Sequence, residues 1–275
     1  LAADVSRYEP LAALDGGDVP KIIKVRGTID FNTDAAGQAL TCDDYATDGY
    51  RLDAYLAAYD PEVWGRDTEP SGPLEDARAA SADHQADRVQ VTVPSHTTIV
   101  GLGADARILG GDLQVKGADN VIIRNLTFED AFDCFPQWDP TDGDTGNWNS
   151  AYDNLVVEAS THVWIDHNTF TDGRRPDSEQ PSYFGRIFQQ HDGELDVVKG
   201  ADHVTASWNA FTHHGKTLLF GSSDSASGTD DGHLRVTLHH NLFKDVGERA
   251  PRVRFGQVDV YNNHYVVNED TEYSY

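Results

Sequence analysis

Residues 115–121 read VKGADNV, and residues 198–204 read VKGADHV, 83 positions on. Between them lies EASTHVWI (158–165), whose His162 falls 42 residues after Asn120 and 41 before His203. Each copy runs on to a polar turn and an aromatic: RNLTF ends at Phe128, HNTF at Phe170 and WNAF at Phe211. HHNLF, ending at Phe243, and NNHY, ending at Tyr265, continue the series with a last step of 22 residues. That step is one turn of a β-solenoid, and the longer steps are the same turn enlarged by inserted loops. A single turn cannot close its own apolar face, so stacking of neighbours supplies the core.

The repeat therefore predicts a parallel coil of strands, with handedness left open. Val121, Ile122, Val163, Ile165, Val204 and Val236 are expected to point inward. The recurring Asn125, Asn168, Asn209, Asn241 and Asn263 are expected at the corners, where asparagine tolerates left-handed backbone. Stacked asparagines would then hydrogen-bond along the coil axis as amide ladders do.

Working outward, KIIKVRGTI (21–29) alternates apolar and polar residues and reads as a strand broken at Gly27. Residues 48–66 carry Leu52, Tyr55, Leu56 and Tyr59 at helical spacing. A second helix is expected from Pro73 through Arg88, with acids in its first turn. VQVTVPSHTTIVGLG (89–103) returns to strands. Inserts at 129–153 and 171–194 both leave after the repeat's aromatic, so they bulge from one side. In repeat proteins that side is usually the binding face. The whole of 1–275 reads as one solenoid domain.

Composition narrows the partners. Lys+Arg is 21 and Asp+Glu 46, a formal charge of -25, which argues against nucleic acid. No apolar run reaches the roughly 18 residues of a membrane span. The chain opens at Leu1–Ala2–Ala3–Asp4 without a basic-then-apolar leader, and the expectation is that a leader has been removed. Cys42 and Cys134 lack zinc-knuckle spacing; they are either one long-range disulfide of an exported protein or two small buried apolar residues. Against the acidic background, Lys216, Arg235, Lys244, Arg249, Arg252 and Arg254 gather in one segment.

Three carboxylates stand out beside those bases. Asp192 and Asp196 flank Gly193–Glu194–Leu195, and Asp153 closes the preceding insert. With the coils in register all three open on one cleft, and hard oxygen ligands suit Ca²⁺ better than zinc or copper. Glu194 is expected on the other side of its strand. Arg252 and Arg254 would share a face while Pro251 redirects Arg249, a row matched to carboxylates by the guanidinium fork. Lys216 adds a point charge one coil earlier. His167, His239, His240 and His264 read as corner or stacking residues.

WNSAYDN, VWIDHNTF, HDGELD, KTLLFGSSD, LRVTLHHN and RAPRVRFGQVDVYNNHY together resemble the pectate lyases of polysaccharide lyase family 1, from about Lys21 to Tyr265. The resemblance implies an all-β, right-handed parallel β-helix, Ca²⁺-dependent β-elimination of polygalacturonate (pectate), and a secreted, monomeric bacterial enzyme. It assigns Asp153, Asp192 and Asp196 to calcium, Arg249 to removal of the C5 proton, and Lys216 and Arg254 to substrate carboxylates. Asp142 is a weaker candidate for a further calcium, and WIDH (164–167) a structural motif away from the cleft. A guanidinium ordinarily holds its proton to above about pH 12, so an arginine base calls for a crowded cationic site and alkaline conditions. Two features depart from the family: His213–His214–Gly215 precedes Lys216, and the family's further coils and C-terminal cover are missing after Tyr275, as in a fragment. The rival readings are a pectin lyase without calcium, a solenoid hydrolase with a carboxylate pair, and a non-catalytic carbohydrate-binding solenoid.

Overall fold

The repeats stack as parallel coils. The computed structural model describes residues 2–5, 14 and 17–267. One sheet holds eight strands in the order Ala2–Val5, Lys21–Val25, Thr97–Gly101, Asp119–Arg124, Thr161–Asp166, Asp202–Ser207, Arg235–His239 and Gln257–Tyr261. The other faces of the solenoid form a second, 12-stranded sheet. They count as one sheet because Ala210–Phe220 runs round their shared corner as an 11-residue strand, where earlier coils are interrupted by inserts. The fold is a parallel β-helix, as the repeat predicts.

Register explains the core. Val121, Val163, Val204 and Val236 stand opposite one another on successive coils, as do Ile123, Ile165, Ala206 and Leu238, and all are buried. Ile122 corrects the expectation. It shares a rung with Trp164, Thr205 and Thr237, the outward row, because neighbouring residues of a strand face opposite ways. Phe128, Phe170, Phe211, Phe243 and Tyr265 stack with centroids 4.7–5.1 Å apart, the strand-to-strand spacing.

The asparagine ladder exists, one residue off the corner. Asn168 Nδ2 donates to Asn209 Oδ1 at 3.2 Å, Asn209 to Asn241 at 3.1 Å, and Asn241 to Asn263 at 3.0 Å. The left-handed residues are those just before, at φ 54–56°: Asn125, His167, Trp208, His240 and Asn262. Of the five predicted asparagines only Asn125 takes that backbone. His and Trp are held at the corner by mutual stacking, with Trp208 between His167 (5.9 Å) and His240 (4.5 Å).

The helix Pro73–Val89 lies as expected, starting on proline with Glu75 and Asp76 in its first turn. The 48–66 segment forms only Leu52–Ala58, and a short helix Cys42–Tyr45 was not foreseen. These helices anchor the first insert. Arg78 donates to the Phe135 carbonyl, Gln85 to that of Phe132, and Cys42 is disulfide-bonded to Cys134. Tyr55, Tyr59, Trp138, Trp148 and Phe188 close a second apolar cluster that joins both inserts to the helices. Among the described residues no helix is long and apolar enough to cross a membrane.

Candidate active site

Both inserts re-enter the sheet at the same junction, and the predicted groups collect there. Asp153 ends the first insert, just before the strand Leu155–Glu158. Asp192 ends the second, before Gly193–Val198, which carries Asp196. The Gly193 N–H donates to Asp153 Oδ1 at 2.7 Å, and Leu219 N–H to Asp196 Oδ1 at 3.1 Å. Gly193 stands opposite Lys216, and Asp196 opposite Leu219, so the next coil brings its lysine onto the same rung. Lys216 Nζ lies 3.6 Å from Asp192 Oδ1.

The carboxylates repel one another. Burial, then the charges of Asp196, Asp192 and Asp112, hold Asp153 well above the usual carboxylate range. Burial and Asp192 push Asp196 up to about 8, against the opposing pull of Arg249. Gly193 leaves the room between them: a Cβ there would sit 2.6 Å from Asp196 Oδ1 and 2.7 Å from Asp153 Oδ1. Two under-neutralised oxygens meeting over a glycine, with a third carboxylate alongside, form a hard donor set that fits a calcium ion. The three carboxylates do not all converge within 4.8 Å: Asp153 and Asp196 meet over Gly193, while Asp192 turns to Lys216.

Asp172, Asp177 and His191 do bring ligand atoms within 4.8 Å of one another. That cluster already contains its cations. His191 Nδ1 lies 3.0 Å from Asp177 and Nε2 3.1 Å from Asp130, both within donating reach. Burial opposes its protonation, yet Asp172, Asp130 and Asp177 outweigh it and push His191 up to about 9. Arg174 and Arg175 cover Asp130 from the other side.

The arginines divide. Arg249 takes left-handed backbone (φ 58°), and its buried Nε has no hydrogen-bond acceptor; the nearest carboxylate oxygen, of Glu248, is 3.6 Å away. Arg254 is paired with Asp224 and donates to the Gly221 carbonyl at 3.2 Å. Arg252 is exposed in the strand Arg252–Val253. Asp142 lies exposed between the hairpin strands Gln137–Asp139 and Asn147–Asn149, with its N–H on the Asp139 carbonyl. Asp166 of WIDH is buried on the eight-stranded sheet and serves Arg124, His167 and Ser207.

Glu194 is away from the aspartates, though not by strand alternation, since it shares parity with Asp192 and Asp196. It is fully buried and accepts from Thr212 N–H; burial holds its carboxyl well above the usual range, with His214 opposing and Asp172 adding to the shift. His214 is the residue the sequence reading undervalued. The local signal was a histidine two positions before the lysine, beside an acid-rich insert. Burial opposes its charge, but Asp172, Glu194 and Asp177 hold it well above the usual imidazole range. Beside these residues opens a groove of about 440 Å³ lined by Asp177, His213, Gly215, Asp245 and Gly247.

The coils, inserts and polar junction are those of a parallel β-helix that presents acids and bases along one edge. The family model for pectate lyase matches residues 71–275, and the chain belongs to that family. It is 56% identical over 246 residues to a pectate lyase of Bacillus subtilis (strain 168), covering 90% of this chain and 58% of that protein. It is 40% identical over 256 residues to pectate lyase E of Dickeya dadantii (strain 3937), covering 93% of this chain and 52% of that protein. A solved pectate lyase bound to a hexasaccharide superposes with a TM-score of 0.94 at 49% identity, covering 99% of this chain and 70% of that one. The chain thus spans between half and three-fifths of the curated relatives' length.

Proposed function

We propose that the protein is a calcium-dependent pectate lyase that cleaves polygalacturonate by β-elimination. The observation that carries this reading is the junction itself: Asp153 and Asp196 oxygens face each other over Gly193 with too little counter-charge, one coil from Lys216 and beside Arg249. Asp153, Asp192 and Asp196 hold the cation. When bound, it withdraws charge from a uronate carboxylate and stabilises the enolate-like transition state. Lys216 and Arg254 hold the carboxylates of neighbouring uronates and add positive potential. Arg249 faces C5 and, in the neutral form that alkaline conditions give it, takes the C5 proton and becomes guanidinium; the electron pair forms the C4–C5 double bond, the glycosidic oxygen at C4 leaves, and water protonates it. The orphaned Nε–H of Arg249 is a buried donor without a protein acceptor, which suits contact with an oxygen of the substrate and so places the side chain against it. Arg254 must exchange Asp224 for substrate, which is an inexpensive trade because Asp224 is 87% exposed. The Cys42–Cys134 disulfide fits an exported protein, and we take it to act as a secreted monomer.

The test is ultraviolet absorbance on polygalacturonate with and without chelator. The unsaturated product should appear with Ca²⁺, vanish with chelator, and not return with Mg²⁺, which dehydrates reluctantly and demands a tighter octahedron. Full activity in chelator on methyl-esterified polymer would make it a pectin lyase. A saturated product would make it a hydrolase, and binding without cleavage a carbohydrate-binding solenoid.

A further inference from the structure

We propose that His214 is a positioning residue that fixes the Asp192 and Lys216 backbones relative to each other; the proposal rests on the lyase reading above. Its imidazole is buried, and each ring nitrogen has a defined partner. Nδ1 lies 2.6 Å from Asp172 Oδ1. Nε2 lies 2.7 Å from the Asp192 carbonyl and 3.1 Å from the Lys216 carbonyl. Carbonyl oxygens only accept, so Nε2 carries a hydrogen and donates to both.

Those contacts tie three points of chain. Asp172 stands at the start of the second insert, Asp192 at its end, and Lys216 on the coil that follows. Asp192 precedes the first residue of its strand; its N–H is held by the Tyr152 carbonyl, and its C=O accepts from His214. His214 thereby closes the insert onto the neighbouring coil and sets how far the Asp192 carboxylate stands from the Lys216 ammonium. The side chain is buried, and it acts through the two residues that would meet cation and substrate.

Glutamine and asparagine separate the two ends of the ring. A glutamine amide nitrogen reaches about the place of Nε2 and carries two hydrogens for the two carbonyls, whereas asparagine reaches about the place of Nδ1 and serves only Asp172. Both variants, checked for folding by thermal melt, would be compared with wild type by calcium calorimetry and by kcat and KM on polygalacturonate. His214→Asn should lose calcium affinity by about 10- to 100-fold and raise KM, while His214→Gln recovers most of both. Equal losses in the two variants, or wild-type calcium affinity in a folded His214→Asn, would overturn the proposal. If neither variant folds, nitrogen–proton NMR of the wild-type ring decides. An Nε2–H signal protected from exchange, and moving when calcium is added, supports the clamp; an unprotected or unmoved one removes it. Absence of unsaturated product from wild type would retire the lyase reading by itself and leave the calcium and NMR comparisons standing.

Discussion

Gly193→Ala probes the carboxylate cluster without altering any charge. Gly193 is not among the positive-φ residues, so alanine meets no backbone strain there. The new methyl would instead lie 2.6 Å from Asp196 Oδ1 and 2.7 Å from Asp153 Oδ1, where ordinary contact begins at 3.4 Å. Each oxygen must therefore retreat by about 0.8 Å, against a tolerance of about 0.2 Å in metal–ligand distances. We expect calcium affinity to fall about 10- to 100-fold, or about 1.4 to 2.8 kcal/mol, read by calorimetry. The calcium-free protein should melt lower than wild type as well, because the retreat stretches the Gly193 and Leu219 N–H bonds onto those two oxygens. Gly228→Ala is the control: it has open space around it in the short helix Ser227–Asp230 and should leave calcium binding unchanged. Wild-type calcium affinity in Gly193→Ala would refute the assignment of Asp153 and Asp196 to one cation.

Asn209→Ala removes two donated and two accepted hydrogen bonds from the ladder and leaves the buried Ile165 carbonyl without its side-chain donor; urea denaturation should show a loss of about 2–4 kcal/mol. Asp112 is pushed up to about 7, chiefly by burial. Its contribution is complete below about pH 4, where folded and unfolded forms are both protonated, and is lost as pH rises to about 7. Asp112→Asn should therefore flatten that decline and make the calcium-free protein more stable at pH 8, by up to about 4 kcal/mol in chemical denaturation; unchanged pH dependence would count against it. Arg249→Lys should collapse kcat with calcium binding and KM nearly intact, the pattern of an interaction made only in the transition state. Weaker binding with unchanged kcat would make Arg249 an anchor and turn the search for the base to Lys216.

The solenoid was legible because its repeat is written in chemistry that recurs: an apolar rung, a polar corner, an aromatic. What misled was the offset inside the corner. Asn168 and its successors looked like the residues that turn the chain, while His167, Trp208 and His240 do the turning and pay for it by stacking. Ile122 was misplaced because apolar character was read without strand parity. At the junction, Asp153, Asp192, Asp196, Lys216 and Arg249 could be picked out since their spacing matches the inserts and the family's motifs. Asp172, Asp177 and His191 could not, because their meaning lies in a contact network that closes only when the insert folds back. His214 fell between the two: its neighbourhood was noticed, but burial against Asp172 is a fact of three dimensions.

The uninterrupted strand Ala210–Phe220 carries a wider implication. Gly193, Lys216 and Glu248 are far apart in sequence yet share one rung on consecutive coils, each separated by the strand spacing of about 4.8 Å. Distance along the coil axis is therefore indifferent to how many residues an insert contains. A lineage can lengthen, shorten or exchange the loops that shape the face while the pitch between acid and base stays constant. Substrate preference and charge spacing are then free to change separately, one by loop content and the other only by gaining or losing a whole coil.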